Sequence, residues 1–517
     1  MVSEVRRSSM ARLHAAALAV LLVAASALGV DLQRDIDRIL ARNGLEGASI
    51  GISVVDLATG RQLAQVDPYE PRIPASNMKL FTSAASVLAL DPVFAFETKF
   101  VRDGDLLVIV GAGDPGLGDP VLLADRAGPK DVDGLVDTIA AKIAVADDGP
   151  IREIVIADGI FDGEVVHPSW PAEQLQNYYC AEVRGLNFHL NIVNVFAGPT
   201  TINQPGRIAV EPDASGVEIQ NVTSTVASRT AAGRPHRSAI AIRRDDAANR
   251  LRVSGSLSRS VSARVSVYDA ATLFAEMIAE GLEREGVQVG QPGRLAIDAV
   301  RRASPGERPT GAVVHRERTT LAEALDRCNR DSYNLYAEAL LKRLGHELTR
   351  EPGSFGHGAA AVRSLLVDAL GPSAVQELRV ADGSGMSRDN AVAPATIVAL
   401  LAHMNDLPDE DRRDLFLASL ARPGEGTLRR NFPRDRDLDN RIAAKSGYLN
   451  GVRTLSGYVL PGRSGQPVLA FSIMMNDFKR TDAIRSRDLR NELVTLLDRY
   501  VSNELAEGNL VAETRDP

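Results

Sequence analysis

Residues 441–476 read RIAAKSGYLNGVRTLSGYVLPGRSGQPVLAFSIMMN, three strand-like runs in succession: RIAAKSGY, VRTLSGYVL and VLAFSIMMN, the last two separated by a turn at Pro461-Gly462-Arg463-Ser464-Gly465. Near the other end, residues 48–66 (ASIGISVVDLATGRQLAQV) read as a hairpin around Ala58-Thr59-Gly60. Helices are expected beside both groups. One runs from Asp31, its N-cap, to Arg42, with Leu32, Ile36, Ile39 and Leu40 at helical spacing and a stop at Asn43-Gly44. Another follows Pro74, over about Ser76 to Leu90, and a last one spans about 481–505. Strand groups at both ends predict one antiparallel sheet assembled from the two ends of the chain and covered by helices, an α/β (α+β) class.

What lies between must then be an insertion. Over residues 96–265 short strand-like runs (DLLVIVG, EIVIAD, NIVNVF, VEIQNV, AIAIRR, RLRVSGSL) are separated by Gly, Pro and Asp, with few convincing helices. Helical patterns resume at Asp269–Glu285 and continue through Leu321–Leu344 and Gly358–Leu370. The expected division is a leader at 1–29, a main domain in two segments at 30–95 and 266–505, a β-rich insertion at 96–265 and a tail at 506–517.

Composition bounds the function. The 517 residues carry 59 Lys+Arg against 67 Asp+Glu, a net charge of −8, which disfavours nucleic acid as a partner. With 44% hydrophobic and 24% charged residues the chain is globular, and disorder, collagen and a polytopic membrane protein are excluded. Arg6, Arg7 and Arg12 precede an uncharged apolar stretch at 15–30, and Ala25-Ser26-Ala27 offers small residues for cleavage, the pattern of a secretory leader. That stretch is short for a bilayer span of ~20 residues, and no Cys follows it to take a lipid. A periplasmic or otherwise extracytoplasmic protein is expected, with no integral membrane segment once the leader is removed. Cys180 and Cys328 are compatible with one disulfide or with two separate buried thiols, and the sequence does not choose.

Three short motifs carry chemistry. Ser76-Asn77-Met78-Lys79 puts a hydroxyl and an amine on one face of a helix start, where backbone N–H groups also point at a developing oxyanion. Ser332-Tyr333-Asn334 opens the helical run LYAEALL. Lys445-Ser446-Gly447 begins a strand before Tyr448; residues two apart on a strand share a side, so an ammonium enters a cleft where Gly447 lets a ligand backbone lie close, and Ser446 adds a hydroxyl for a carboxylate. Each alone is common, and Ser-x-x-Lys alone reads as an N-cap followed by a surface lysine. Together and in this order they form the signature of penicillin-interacting serine enzymes.

The chain resembles the class C penicillin-binding proteins, the D-alanyl-D-alanine carboxypeptidase/endopeptidase (DacB) family. The resemblance runs from SIGISVVDLATGRQL through PASNMKLFTSAASVLAL, GAGDPGL, ADGIFDG and HPSW to RDSYNLYAEALL, ADGSGMSRDN, GEGTLRR, AAKSGYLNGVRTLSGYV and FSIMMND. Ser446 stands where Thr is usual, and Tyr333 where Asp is more frequent. The resemblance implies a penicillin-binding transpeptidase/β-lactamase-like domain with a large inserted domain, no cofactor and no metal, and peptidoglycan stem peptides and β-lactams as partners. It makes Ser76 the nucleophile and Lys79 its base, an uncharged amine at neutral pH. Ser332 relays a proton to the leaving amine, and Asn334 holds Lys79 and the substrate amide. Lys445 and Ser446 take the terminal carboxylate beside Gly447, and the N–H groups of Ser76 and Tyr448 form the oxyanion hole. Asp158 and Leu449 meet the diaminopimelate-like side chain. The expected activity is that of a serine D-Ala-D-Ala carboxypeptidase, with D,D-endopeptidase activity as an extension. The alternatives are a serine β-lactamase or esterase, a non-catalytic peptidoglycan-binding protein, or a signal-anchored structural protein.

Other features have plainer readings. Gly111-Ala112-Gly113-Asp114-Pro115-Gly116 fits a dinucleotide fingerprint, but Pro115 and the missing βαβ context make it a turn. The eight histidines show no metal-ligand spacing. Asp382 to Ser387 reads as a structural loop, and Arg388, Arg429 and Arg430 as solvated or paired.

Overall fold

The computed structural model describes residues 32–506 apart from 147–148, 230–232, 246–247, 305, 431, 433–437, 439–441 and 462–467. The leader, the Asp31 cap, most of the 461–465 turn and the tail from 507 lie outside the described residues. Contacts divide the chain into two compact units: residues through Phe81, Leu366–Arg379 and from Arg388 onward form unit 1, and Thr82–Leu365 with Val380–Ser387 form unit 2.

Unit 1 begins with helix α1 (32–43) and the hairpin β1 (Ser49–Asp56) and β2 (Gln62–Val66), then a 3₁₀ turn at Ala75–Asn77 that runs into helix α2 (Met78–Ala89), whose residues from Thr82 onward count with unit 2. Unit 2 contains strands β3 (Ala95–Asp103), β4 (Leu106–Val110), β5 (Glu153–Ala157), β6 (Ile192–Gly198), β7 (Arg207–Glu211), β8 (Glu218–Thr225), β9 (Ala239–Arg244), β10 (Arg250–Leu257), β11 (Val261–Ser266), β12 (Val300–Arg302) and β13 (Ala312–Thr320). Its helices are α3 (Pro120–Asp125), α4 (Val132–Ala146), α5 (Ala270–Arg284), α6 (Leu321–Asn329) and α7 (Asn334–Thr349). Helix α8 (Phe355–Leu370) leads back to unit 1, which closes with α9 (Pro394–Asn405), α10 (Glu410–Ser419), β14 (Ile442–Leu449), β15 (Val452–Val459), β16 (Leu469–Asn476) and α11 (Ala483–Ala506).

The sheet of unit 1 has the order β14-β15-β16-β1-β2, all antiparallel, so both ends of the chain do share one sheet. The join is β1 against β16, from Ser49 opposite Asn476 to Asp56 opposite Leu469. β16 is buried throughout because both faces are covered. Leu469, Phe471, Ile473 and Met475 enter the core with Leu32 and Ile36 of α1 and Leu489, Leu493 and Leu497 of α11, while the opposite face meets α9.

Unit 2 is organised on a mixed five-stranded sheet, β12-β5-β4-β3-β13, with two smaller sheets, β8-β10-β9 and β11-β6-β7. Its contacts do not divide at the expected 95/96 and 265/266 junctions. The reason is pairing: β13 lies antiparallel to β3, so residues after 266 complete a sheet begun at 95. The insertion also holds a helix the strand-rich context concealed. In α4, Val132, Leu135, Val136, Ile139, Ala140 and Ile143 form one buried stripe, and Asp131 accepts from the Gly134 N–H at 2.8 Å near its start.

Candidate active site

The loop before Ser76 is fixed by side chains that imitate main chain. Arg72 is buried and donates to the carbonyls of Ile50, Asp67 and Glu70 and to Ser49 Oγ, at 2.9–3.0 Å. The Ile73 N–H donates to Asn476 Oδ1 at 2.8 Å, and Asn476 Nδ2 donates to the Ile73 carbonyl at 3.2 Å, as a paired strand residue does. Thr454 Oγ1 donates to the Pro74 carbonyl at 2.9 Å. These bonds hold Ala75 at φ +46°, a left-handed conformation that costs a non-glycine residue roughly 1–3 kcal/mol.

One residue on, Ser76 Oγ lies 3.2 Å from Lys79 Nζ, and Lys79 is fully buried. Asn77 between them donates to Ser456 Oγ at 2.6 Å, and Ser456 Oγ donates to Ser472 Oγ at 2.9 Å, a buried relay from the turn into β15 and β16. Sequence reasoning missed Asn77, Ser456 and Ser472. The available signal was a serine inside each of two otherwise apolar strands, LSGYV and AFSIMM.

β14 is an edge strand of the described sheet and carries Lys445, Ser446 and Gly447. Lys445 pairs in register with Ser456, and Gly447 with Thr454, so the β15 residues that hold Asn77 and Pro74 lie opposite the motif. A Cβ on Gly447 would sit 2.2 Å from Thr454 Oγ1 and 3.0 Å from both Ser76 N and the Pro74 carbonyl, so only glycine lets the strand approach the turn this closely. Lys445 is fully buried and its Nζ donates to the Ser446 carbonyl at 2.9 Å. Ser446 and Leu449 are half-buried. Tyr448 is exposed, its ring beneath the Arg453 guanidinium at 4.8 Å. Unit 1 thus brings together Ser76, Lys79, Lys445, Ser446 and Gly447, with Tyr448 and Leu449 next on the same strand.

Ser332, Asn334 and Asp158 belong to unit 2. Ser332 sits between α6 and α7 at φ +64°. Asn334 starts α7, and its Nδ2 donates to the Tyr179 carbonyl at 2.7 Å, a partner from the insertion that sequence reasoning missed. Asp158 pairs with Arg302, whose other N–H groups reach Asp269 at 2.8 and 2.9 Å. The Asp158 carboxylate is thus engaged within unit 2, and the Arg302 pairing had no local sequence signal.

The remaining expectations resolve simply. Cys180 and Cys328 are separate buried thiols, and burial with Asp382 nearby pushes Cys180 up to about 12. Asp382 accepts from the N–H groups of Gly385 and Ser387 and from Trp170 Nε1, at 2.6–2.8 Å, which makes 382–387 a capped loop. Arg388 donates to the Asn450 carbonyl, and Arg429 and Arg430 are exposed. No described helix is long and apolar enough to cross a membrane.

A helix-borne serine and buried lysine, set against an edge strand bearing Lys-Ser-Gly on a five-stranded antiparallel sheet, define a serine peptidase of the penicillin-interacting class. Residues 32–500 match the D-Ala-D-Ala carboxypeptidase 3 (S13) family, and the chain belongs to it. It is 31% identical over 507 residues to the D-alanyl-D-alanine carboxypeptidase of Actinomadura sp. (strain R39), covering 92% of this chain and 86% of that protein. It is 25% identical over 483 residues to the D-alanyl-D-alanine carboxypeptidase DacB of Haemophilus influenzae, covering 89% and 91%. The crystal structure of penicillin binding protein 4 (dacB) from Haemophilus influenzae shares the fold, with a TM-score of 0.72 at 21% identity over 90% of this chain and 99% of that one.

Proposed function

We propose that this serine D-Ala-D-Ala carboxypeptidase acts through Ser76, trimming peptidoglycan stem peptides outside the cytoplasm and cleaving D,D cross-links by the same chemistry. The observation that carries the reading is the 3.2 Å approach of Ser76 Oγ to the buried Lys79 Nζ at the start of α2. Lys79, uncharged, takes the Ser76 proton as Oγ attacks the carbonyl carbon between the two D-alanines. The Ser76 and Tyr448 N–H groups receive the oxyanion. The C–N bond then breaks, Ser332 passes a proton to the departing amine, and water hydrolyses the Ser76 ester. Asn334 orients the substrate amide, and Lys445 and Ser446 bind the terminal carboxylate.

A β-lactam enters the same path, but its leaving group stays tethered. Incubation with labelled penicillin followed by peptide mapping should place the label on Ser76 and leave it there for long periods. Rapid release of the label indicates a β-lactamase or esterase, and no label on folded protein indicates a binding protein. Residues 1–29 are the leader in this reading and 96–265 the β-rich accessory insertion; intact mass of the exported chain tests the first. In this reading Leu449 and Asp158 each meet the stem-peptide side chain, and an amino group has to displace Arg302 from the Asp158 carboxylate. Asp158→Asn should then shrink the preference for a free over an acetylated side-chain amine, and an unchanged ratio removes Asp158 from recognition.

A further inference from the structure

Beneath the loop that carries Ser332 lies a buried ionic cluster that the chemistry above does not use. Asp119 is fully buried and Arg327 nearly so. Arg327 Nε donates to Asp119 Oδ2 at 2.7 Å and a terminal nitrogen to Oδ1 at 3.0 Å, a bidentate fork. The buried Tyr336 hydroxyl donates to the same Oδ2 at 2.6 Å. Burial alone pushes the Arg327 guanidinium toward losing its proton, but Asp119, Tyr336 and Asp331 outweigh it and hold the charge.

The other side of Arg327 grips the loop at three points. Its second terminal nitrogen donates to Asp331, the residue before Ser332. Its guanidinium lies 4.5 Å over the ring of Tyr333, the residue after. Its carbonyl accepts the Tyr333 N–H at 3.2 Å. Ser332 itself is left-handed at φ +64°, a conformation that persists only where its neighbours are fixed. Asp119 comes from GAGDPGLGD, the buried glycine-rich segment whose fingerprint reading was set aside. Gly113 and Gly118 in it are left-handed, and a Cβ on either would collide with Phe161 or Phe188.

We propose that Arg327, clamped by Asp119 from the glycine-rich segment, is a positioning residue that fixes Ser332 for proton delivery to the leaving group. This rests on the leaving-group role given to Ser332 above. Ser332 delivers a proton that an amine leaving group needs and a thiolate does not. A misplaced Ser332 therefore slows acylation by a D-Ala-D-Ala amide while sparing acylation by a thiolester of the same acyl group.

The test measures acylation of Arg327→Lys, Asp331→Asn, Ser332→Ala and the double variant Arg327→Lys/Ser332→Ala with both substrates, after thermal unfolding has shown each to be folded. Arg327→Lys keeps the charge but loses the fork. It should slow amide acylation by roughly 10–100-fold, the size expected of a small misplacement, and thiolester acylation by less than about 3-fold. Asp331→Asn, at a partly exposed position, should show the same selectivity to a smaller extent and serves if Arg327→Lys does not fold. In the Ser332→Ala background the Arg327 change should have no further effect on the amide, because what it positions is gone. Equal losses on both substrates, or multiplying effects in the double variant, overturn the positioning role. Ser332→Ala with unchanged amide acylation overturns the leaving-group role itself, a result distinct from the other two.

Discussion

Ala75, just before the proposed nucleophile, and Ser332 are both left-handed non-glycine residues, and the molecule holds them by opposite means. Around Ala75 every clamp but Arg72 is neutral: Asn476 on Ile73, Thr454 on Pro74, and Ser456 with Ser472 under Asn77. These groups stand on β15 and β16, whose regular spacing presents a side chain toward the turn at every second residue. Around Ser332 there is no ladder, only a short link between two helices. Beside the Asn334–Tyr179 bond, orientation there draws on one guanidinium with donors in several directions, and its charge needs a buried carboxylate. A sheet can position a reactive group with small neutral bonds, whereas a helix–helix link takes a buried ion and inherits its sensitivity to substitution.

The largest expected effect lies on the neutral side. Lys79→Ala should reduce acylation of Ser76 by roughly 10⁴-fold, the upper end of general-base catalysis, while thermal unfolding stays cooperative. Full acylation of that variant at neutral pH assigns the base elsewhere. Stability, in contrast, should be most vulnerable on the ionic side. Asp119→Ala takes the buried bidentate partner from Arg327, leaving it only the partly exposed Asp331, and should cost ~3–5 kcal/mol in denaturant unfolding. A cost below about 1 kcal/mol would show that water or Asp331 takes over the charge, and the contrast between the two clamps would collapse.

Asp114 sharpens the comparison through pH. Burial raises it from 3.8 to about 7, against the lowering effect of the Gly116 N–H, so the folded protein keeps a proton that the unfolded chain has lost. Between those values folding takes up a proton, so stability falls as pH rises through the window and the penalty is complete above about 7. Asp114→Asn should therefore be more stable than the parent at pH 8, by on the order of 2–4 kcal/mol, and should match it near pH 4. Equal midpoints at pH 8 would mean the carboxylate is hydrated or paired when charged. The smallest effect belongs to Ser456→Ala, which removes the acceptor of Asn77 and should cost ~1–2 kcal/mol, the same at pH 5 and pH 8. A pH-dependent loss would reveal a titrating partner in the neutral clamp.

Legibility in the sequence followed the range of the interaction. Strand runs at 48–66 and 441–476 reported the shared sheet, because alternation and turn residues are local and only one face or the whole strand can be buried. The Ser76–Lys79 contact was legible because a short spacing on a helix dictates which side chains meet, whereas the choice of this Ser-x-x-Lys and of Lys445 came from the three motifs taken together. Asp119 with Arg327, 208 residues apart, and Asp158 with Arg302, 144 apart, left no trace, since an ion pair needs only one residue of each sign at any separation. Gly111 to Gly116 was read as a turn. Its burial was missed because glycines that admit neighbouring phenylalanines look in sequence like glycines that merely turn a chain. α4 was passed over for a related reason: its apolar stripe sits among valines and isoleucines that fit strands equally well.

The Asn476 clamp has a consequence in time. Ile73 and Ser76 leave the ribosome early, but the side chain that pairs with Ile73 lies 403 residues further on. At ~5–20 residues per second that distance takes roughly 20–80 s to synthesise. Until then the stretch around Ser76 lacks the clamp that sets its backbone, and the hydroxyl is an ordinary alcohol. The chain therefore carries its own delay: the proposed nucleophile stays an ordinary serine until β16, the last of the described strands, closes the sheet.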